Sequence, residues 1–183
     1  MSLLNSFLPI INRESRILIL GSMPGVESLR LQQYYGNPRN QFWKIIYELF
    51  DTQVSQDYEE RVSFLKSKKI AVWDVIANCY REGSLDSNIR EEKVNDFSGL
   101  FKAYPCIKTV VFNGGKAYET YKKWIGLGTI PDLTFHKLTS TSPANTKKYE
   151  EKLREWSLIG EFLSHHFPQS NPEIVLPSVQ NAR

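Results

Sequence analysis

The 183-residue sequence is poor in cysteine and histidine, the residues that most often hold metal ions. It has two cysteines, Cys79 and Cys106, and three histidines. No C-x-x-C pair occurs, and two thiols alone cannot hold an iron–sulfur cluster. None of the histidines has metal-ligand spacing with another histidine, a cysteine or a pair of carboxylates. The sequence therefore predicts two reduced thiols, no metal site and no other cofactor.

Long apolar segments and a strong net charge are also missing. No apolar run approaches the roughly 20 residues that a membrane helix needs. Residues 1–15 lack the basic start and the small-residue cleavage site of a signal peptide. We therefore expect a cytoplasmic protein with no membrane partner. The formal net charge is +3, from 23 basic and 20 acidic residues, which permits a nucleic-acid partner without arguing for one.

The apolar runs that are present predict an α/β fold. Short β-rich runs occur at 16–20, 70–74, 109–113 and 133–138, and helical spacing occurs at 40–50, 58–66, 95–104, 116–124 and 147–166. Since strands alternate with helices, we expect a central four-stranded parallel sheet covered on both faces, a three-layer α/β/α sandwich. The length fits a single domain over residues 1–167, followed by a loosely held, proline-interrupted tail, 168–183.

The exits of the four predicted strands share a polar, small-residue composition. They read G-S-M-P-G, D-V-I-A-N-C-Y-R-E-G-S-L-D, N-G-G-K-A and T-S-T-S-P-A-N. In an open parallel sheet, ligands bind beyond the carboxyl ends of the strands. Four converging exits therefore indicate one binding site better than any single exit does.

The stretch from Leu20 to Trp43 carries the most specific signal. The two glycines and one proline of the turn at 21–25 let its backbone approach a ligand and point N–H groups at it. Tyr34-Tyr35, an Asn-Pro-Arg-Asn loop and Phe42-Trp43 follow. Aromatic faces, amides and an arginine in one short span suit recognition of a planar, polar ring such as a nucleobase.

The order G-S-M-P-G, then Y-Y-x-x-P-x-N-x-F-W, resembles the hypoxanthine-DNA glycosylases (DNA-deoxyinosine glycosylases), a branch of the uracil-DNA glycosylase superfamily. The resemblance extends from about residue 16 to about residue 166 and includes R-E-G-S-L-D and S-T-S-P-A-N. It implies a monofunctional DNA repair enzyme that extrudes a deaminated base, above all hypoxanthine, and hydrolyses its N-glycosidic bond to leave an abasic site. The expected partner is DNA containing such a base, bound by a monomer.

Two catalytic residues are expected, one from the resemblance and one from its place at a strand end. Relatives with G-I-N-P-G use the asparagine of that turn to position the attacking water, but this sequence has Met23 there. Asn40, in P-x-N, would take over that role, although an asparagine at this point also suits a helix cap. Asp74 is the only carboxylate predicted at a strand's carboxyl end. It would activate water or stabilise the sugar cation, or else cap the next segment.

Four residues are expected to bind the base. The backbone of the first turn would approach it at Ser22 and Met23, and Tyr35 would stack on it, unless Tyr35 is only a packed loop residue. Asn113 would read the carbonyl and N–H of a lactam edge, as its equivalent does in relatives. A turn-forming asparagine before Gly114-Gly115 is the alternative.

The remaining predicted contacts are with the DNA backbone. Lys116 begins a helix after Gly114-Gly115, within phosphate range. The fourth exit resembles the superfamily's minor-groove insertion loop and suits phosphate contact and wedging, although it also reads as a helix-start signal. Its expected DNA-binding residues are Ser140, Ser142, Pro143, Ala144, Asn145 and Lys147.

Two other functions stay open at this point. The same fold would serve an enzyme for uracil or mismatched pyrimidines, although Met23 in the first turn argues against it. A nucleic-acid-binding domain that lost catalysis with its turn asparagine is the second alternative.

Overall fold

The computed structural model describes residues 2–165. Its strands are β1 (Leu3–Asn5), β2 (Ile17–Gly21), β3 (Ile70–Asp74), β4 (Ile76–Tyr80), β5 (Arg90–Val94), β6 (Thr109–Asn113) and β7 (Thr134–Leu138). Its helices are α1 (Val26–Leu31), α2 (Phe42–Glu48), α3 (Tyr58–Ser67), α4 (Phe97–Ala103), α5 (Gly115–Trp124), α6 (Tyr149–Trp156) and α7 (Leu158–His165). The predicted domain end at residue 167 and the tail, 168–183, lie outside these residues.

The central sheet has four parallel strands in the order β3-β2-β6-β7, which confirms the predicted α/β fold. The register places Gly21, the last residue of β2, opposite Asp74, the last residue of β3. Going along the chain, β3 is added on one side of β2, whereas β6 and β7 are added on the other. The strand order therefore reverses between β2 and β6, and such a switch point opens a crevice at the carboxyl edge.

Helices cover both faces of this sheet, because its strands are apolar on both sides. On β2, Ile17 and Ile19 face one core with α2, α3 and the last two helices, whereas Leu18 and Leu20 face a second core with α4 and α5. All four side chains are fully buried. Alternation along a strand sends successive side chains to opposite faces, so a continuous apolar run produces the three layers.

A second sheet was not predicted. Strands β1, β4 and β5 form a three-stranded antiparallel sheet beside the parallel one. The sequence of β4, I-A-N-C-Y, was read as a polar strand exit, and β5, R-E-E-K-V, carries four charged residues in a row. Neither run has the β-rich composition of a buried strand, so backbone pairing with neighbours rather than local propensity makes them strands.

The predicted helix over 147–166 is interrupted. It forms α6 and α7, with a turn at Ser157 between them. The Ser157 hydroxyl donates to the carbonyl oxygen of Arg154 at 2.7 Å, an interaction that competes with continuous helix. Trp156 and Ile159, on either side of this turn, both enter the core. Within residues 2–165, no helix is both long and apolar enough to cross a membrane.

Candidate active site

A cleft of about 680 Å³ lies at the carboxyl edge of the parallel sheet. Its walls come from the turn after β2, the end of β3, the 34–40 segment, the 84–86 segment, the end of β6 and the loop after β7. The cleft contains most of the predicted site residues, namely Ser22, Met23, Tyr35, Asn40, Asp74, Asn113, Ser140, Ser142, Pro143, Ala144 and Asn145. The four strand exits therefore meet, as their composition predicted.

The two predicted DNA-binding lysines lie outside this cleft. Lys116 Nζ is 3.8 Å from a carboxylate oxygen of Glu92, beside the antiparallel sheet. Lys147 Nζ is 3.0 Å from Glu155 and also donates to the Thr139 hydroxyl. Lys147 lines a second depression, which adjoins the cleft through Ser140 and Asn145. Each lysine thus already has a carboxylate partner, and its contact with DNA stays a prediction.

A hydrogen-bond chain joins Asn113 to Asn40 through Thr141. The Thr141 backbone N–H donates to Asn113 Oδ1 at 2.9 Å, which fixes the orientation of the Asn113 amide. Asn113 Nδ2 therefore donates to Thr141 Oγ1 at 2.9 Å. With its lone pair engaged, the Thr141 hydroxyl donates its own proton to Asn40 Oδ1 at 2.8 Å. The direction of every bond in the chain follows from backbone donors.

Asn40 makes a cap-like contact just before helix α2, and its catalytic role stays a prediction. Its Oδ1 accepts from the backbone N–H of Phe42 at 2.9 Å, just before helix α2, and from Thr141. Both lone pairs of that oxygen are therefore engaged. The Nδ2 group makes no hydrogen bond to any described residue, and Asn40 lines the cleft. The structure thus leaves Asn40 an N–H donor, but no free acceptor, for the cleft.

Tyr35 is held between the core and the cleft. Its ring stacks on Phe42 with centroids 3.9 Å apart, and its hydroxyl accepts from Asn113 Nδ2 at 3.2 Å. The backbone φ of Tyr35 is +54°, which is uncommon for a bulky residue and marks a constrained position. Burial raises the pKa of the Tyr35 phenol above its usual range, so this group stays protonated. Asn113 donates to the phenol oxygen of Tyr35, so the phenol proton of Tyr35 is still available for donation.

Asp74 is buried at the floor of the cleft, with 4% of its surface exposed. Its Oδ2 has no hydrogen-bond partner among the described residues. Burial and, to a lesser extent, the charge of Asp86 together raise the pKa of Asp74 to about 7, although Arg81 opposes the rise. A Cβ at Gly21 would lie 2.6 Å from Asp74 Oδ1, so glycine is required there. The carboxyl can therefore gain or lose a proton near neutrality.

The sequence matches known proteins over almost the whole described part. Residues 8–163 match the model of the uracil DNA glycosylase superfamily. The chain belongs to this superfamily.

Individual relatives agree with this membership. A hypoxanthine DNA glycosylase of Methanosarcina acetivorans is 38% identical over 154 residues, which cover 84% of this chain and 95% of the relative. A hypoxanthine DNA glycosylase of Methanosarcina barkeri is also 38% identical, over 82% of this chain and 94% of its own. A solution NMR structure of a Methanosarcina acetivorans protein named as a uracil DNA glycosylase superposes with a TM-score of 0.77. It is 37% identical and covers 90% of this chain and 100% of that one.

In this member of the superfamily, the first turn is fastened by segment 81–86. The Ser22 hydroxyl donates to Asp86 Oδ1 at 2.7 Å, and the Val26 N–H donates to the Ser84 hydroxyl at 2.9 Å. The buried Arg81 guanidinium donates to the carbonyl oxygen of Pro24. Three side chains of this segment therefore hold the first turn in place.

Met23 has a packing role in addition to its predicted contact with the base. Only 6% of Met23 is exposed, and it packs against Ile76 and Cys79 of β4 and against Ile89, which precedes β5. The residue still lines the cleft. Its side chain therefore fixes the first turn to the second sheet, which sequence reasoning had no means of seeing because that sheet was not predicted.

Two further residues were not predicted as site residues. Thr141 is fully buried and carries the hydrogen-bond chain, yet only its neighbours Ser140 and Ser142 were selected. Its position in S-T-S, between two other small hydroxyl residues, gave no sign of burial. Arg39 lines the cleft with an exposed side chain. The basic residue in the Asn-Pro-Arg-Asn loop was the signal for it.

The first prediction concerns Asp74 and stability. Its folded-state pKa lies above that of the unfolded chain, so ionisation lowers the unfolding free energy as pH rises from about 4 through 7. We expect Asp74→Asn to be more stable than the parent at pH 8, by on the order of 2 kcal/mol, and equally stable at pH 4. Urea unfolding at both pH values measures this difference.

Asp132→Asn supplies a control for the loss of one carboxylate, since Asp132 is exposed and does not line the cleft. A lower stability of Asp74→Asn at pH 8 would contradict the raised pKa.

Proposed function

We propose that this protein is a DNA repair glycosylase that releases hypoxanthine from DNA and leaves an abasic site. One observation carries the proposal: the Asn40 amide and the Asp74 carboxyl share one cleft, and the carboxyl titrates near neutrality. The two relatives named hypoxanthine DNA glycosylase support this choice of base, since each matches more than four fifths of the chain.

The aromatic and amide groups of the cleft suit a purine with a lactam edge. Phe42 covers one face of the Tyr35 ring, and Tyr35 lines the cleft, so its other face is the one to stack on an extruded base. Both Nδ2 protons of Asn113 are donated within the protein. Its Oδ1 keeps one lone pair, which would accept the N1–H of hypoxanthine. Backbone N–H groups at Ser22 and Met23 would donate to the base.

Hydrolysis then needs a positioned water and a group that takes its proton. Asn40 Nδ2 would donate to the water and orient it, because its Oδ1 is already engaged. Asp74 would accept a proton from that water as the oxygen adds to C1′ of the sugar. The C1′–N9 bond breaks, and the base leaves as an anion that takes a proton from solvent. This step uses neither a metal nor another cofactor.

Contacts with the rest of the DNA would come from the rim of the cleft. The 140–145 loop is already ordered: Lys152 Nζ donates to the Asn145 carbonyl oxygen at 2.8 Å, and the Gln41 N–H donates to that of Thr141 at 3.0 Å. The hydroxyl protons of Ser140 and Ser142, the side-chain N–H group of Asn145 and Arg39 would contact phosphates, and Pro143-Ala144 would pack against the DNA backbone. We propose that Lys116 and Lys147 reach more distant phosphates, and that the enzyme acts as a cytoplasmic monomer.

The second prediction is the substrate range. Matched oligonucleotides containing one inosine, one uracil or one mismatched thymine are incubated with the enzyme, and abasic sites are cleaved by alkali and counted on a gel. We expect fastest release from inosine DNA. Release of uracil alone would make the protein a uracil glycosylase. Binding to duplexes without release from any lesion would make it a non-catalytic binding domain.

The third prediction concerns Asn40. Asn40→Ala should lower the single-turnover rate on inosine DNA by about 100-fold or more, while the dissociation constant for DNA changes less than about threefold. Asn37→Ala is the matched control, because Asn37 is another asparagine of the same cleft. The thermal midpoint of both variants is recorded, because loss of the Phe42 N–H contact costs about 1 kcal/mol.

An Asn40→Ala variant with the parent rate would contradict the assigned role. Equal losses in both asparagine variants would indicate a general disturbance of the cleft instead.

The fourth prediction is the pH dependence. If Asp74 accepts a proton, its ionised form is the active one. The single-turnover rate should therefore rise about tenfold per pH unit below 7 and level off above about 7, following the raised pKa of Asp74. Asp74→Asn should be slow, and its rate should no longer rise with pH below 7. A parent rate that falls as pH rises from 5 to 8 would show that the protonated carboxyl is required.

A further inference from the structure

Segment 81–86, R-E-G-S-L-D, forms one rim of the cleft. Its Leu85 has no role in the chemistry above. The segment lies between β4 and β5 of the antiparallel sheet. Ser84, Leu85 and Asp86 all line the cleft. Ser84 and Asp86 bind the first turn through hydrogen bonds. Leu85 makes no such contact through its side chain.

Leu85 is one of two large apolar side chains exposed at this rim. It is 53% exposed, and Val26, which also lines the cleft, is 48% exposed. Single exposed leucines are ordinary on a protein surface. These two are neighbours, because the Val26 N–H donates to the hydroxyl of Ser84, the residue before Leu85. Together they make a small apolar edge beside a polar cleft.

The backbone under Leu85 is fastened on both sides. On one side, Arg81 donates to the Pro24 and Gly83 carbonyl oxygens. On the other, Asp86 accepts from Ser22, and the Asn88 N–H donates to the Leu85 carbonyl oxygen at 3.0 Å. A side chain on so constrained a backbone keeps its orientation when it contacts a partner.

The opposite rim has a smaller apolar side chain, that of Pro143. The 140–145 loop presents Ser142, Pro143 and Ala144, and its hydroxyls bond to its own backbone: Ser140 Oγ accepts from the Ser142 N–H and Ser142 Oγ from the Ala144 N–H. A hydroxyl engaged with its own loop and an alanine methyl fill little of the space of a base. Of the two rims, the 81–86 side has the larger apolar group.

We propose that Leu85 is the wedge that enters the DNA base stack when the damaged nucleotide moves into the cleft. This inference rests on the proposed function, since only an enzyme that extrudes a base leaves such a gap. Apolar side chains such as leucine enter opened base steps in other DNA-bending proteins. An extruded base must lose its stacking and pairing, and a side chain in the gap opposes its return. Leu85 is a positioning residue in this account, because it does not touch the reacting atoms.

The wedge has a signature that a purely structural role lacks. A base in a duplex has a stack and a partner to leave, whereas a base in a single strand has far less to lose. Leu85→Ala should therefore lower the single-turnover rate on duplex inosine DNA by on the order of tenfold, and change the rate on the same single strand less than about twofold. Leu85→Met should keep most of the duplex rate, because methionine also serves as a wedge.

Leu3→Ala is the matched control, because Leu3 is also an exposed leucine, at 49%, and does not line the cleft. It should leave both rates unchanged. Pro143→Ala tests the opposite rim.

Three results would overturn the proposal: equal loss on duplex and single strand in Leu85→Ala, no loss on either, or a duplex-specific loss in Pro143→Ala alone. A parent enzyme that acts only on single strands would also overturn the wedge while leaving the glycosylase in place. No release of base from either substrate by the parent would instead remove the proposed function itself.

Discussion

The hydrogen-bond chain Asn113–Thr141–Asn40 is the constraint on which the rest of the site depends. It connects the end of a central strand, a surface loop and the start of helix α2, which are far apart in sequence. Thr141 is fully buried and Asn113 nearly so, and each of their polar groups is paired with good geometry. A satisfied buried network has one arrangement rather than several. The amide of Asn40 is therefore held in place before any substrate arrives.

Around that hydrogen-bond chain, the site contains features that lower the stability of the fold. Asp74 is buried with one oxygen unpaired, Tyr35 has a positive φ, and Gly21 leaves no room for a Cβ. The burial that penalises the ionised form of Asp74 also makes it a proton acceptor near neutral pH. Two apolar cores, one on each face of the parallel sheet, offset these costs. Stability and chemistry thus come from different parts of the same strands.

The central sheet was predictable because its evidence is local. The β-rich runs near residues 17, 70 and 109 are apolar at successive positions, and only a strand buried on both faces needs that pattern. Parallel strands then bring their exits together whatever the connections are. For the same reason Asp74 and Asn113, both at strand ends, could be placed in one cleft before any coordinates were known.

What the sequence did not predict depends on pairing between distant residues. The strands β4 and β5 exist because their backbones pair, and without them neither the burial of Met23 nor the contact of Asp86 with Ser22 could be inferred. The carboxylate partners of Lys116 and Lys147 follow from the same kind of tertiary placement. Thr141 was missed because a buried threonine between two serines has no local pattern.

The most direct test of this account is a double-mutant cycle between Thr141 and Asn40, measured as the single-turnover rate on inosine DNA. Thr141→Val removes the hydroxyl at nearly constant volume, and Thr141→Ser retains it. If Thr141 acts through Asn40, Thr141→Val slows the parent but has little further effect on Asn40→Ala. Multiplying losses in the double variant, or a Thr141→Val enzyme as fast as Thr141→Ser, would contradict the claim that this chain sets the catalytic amide.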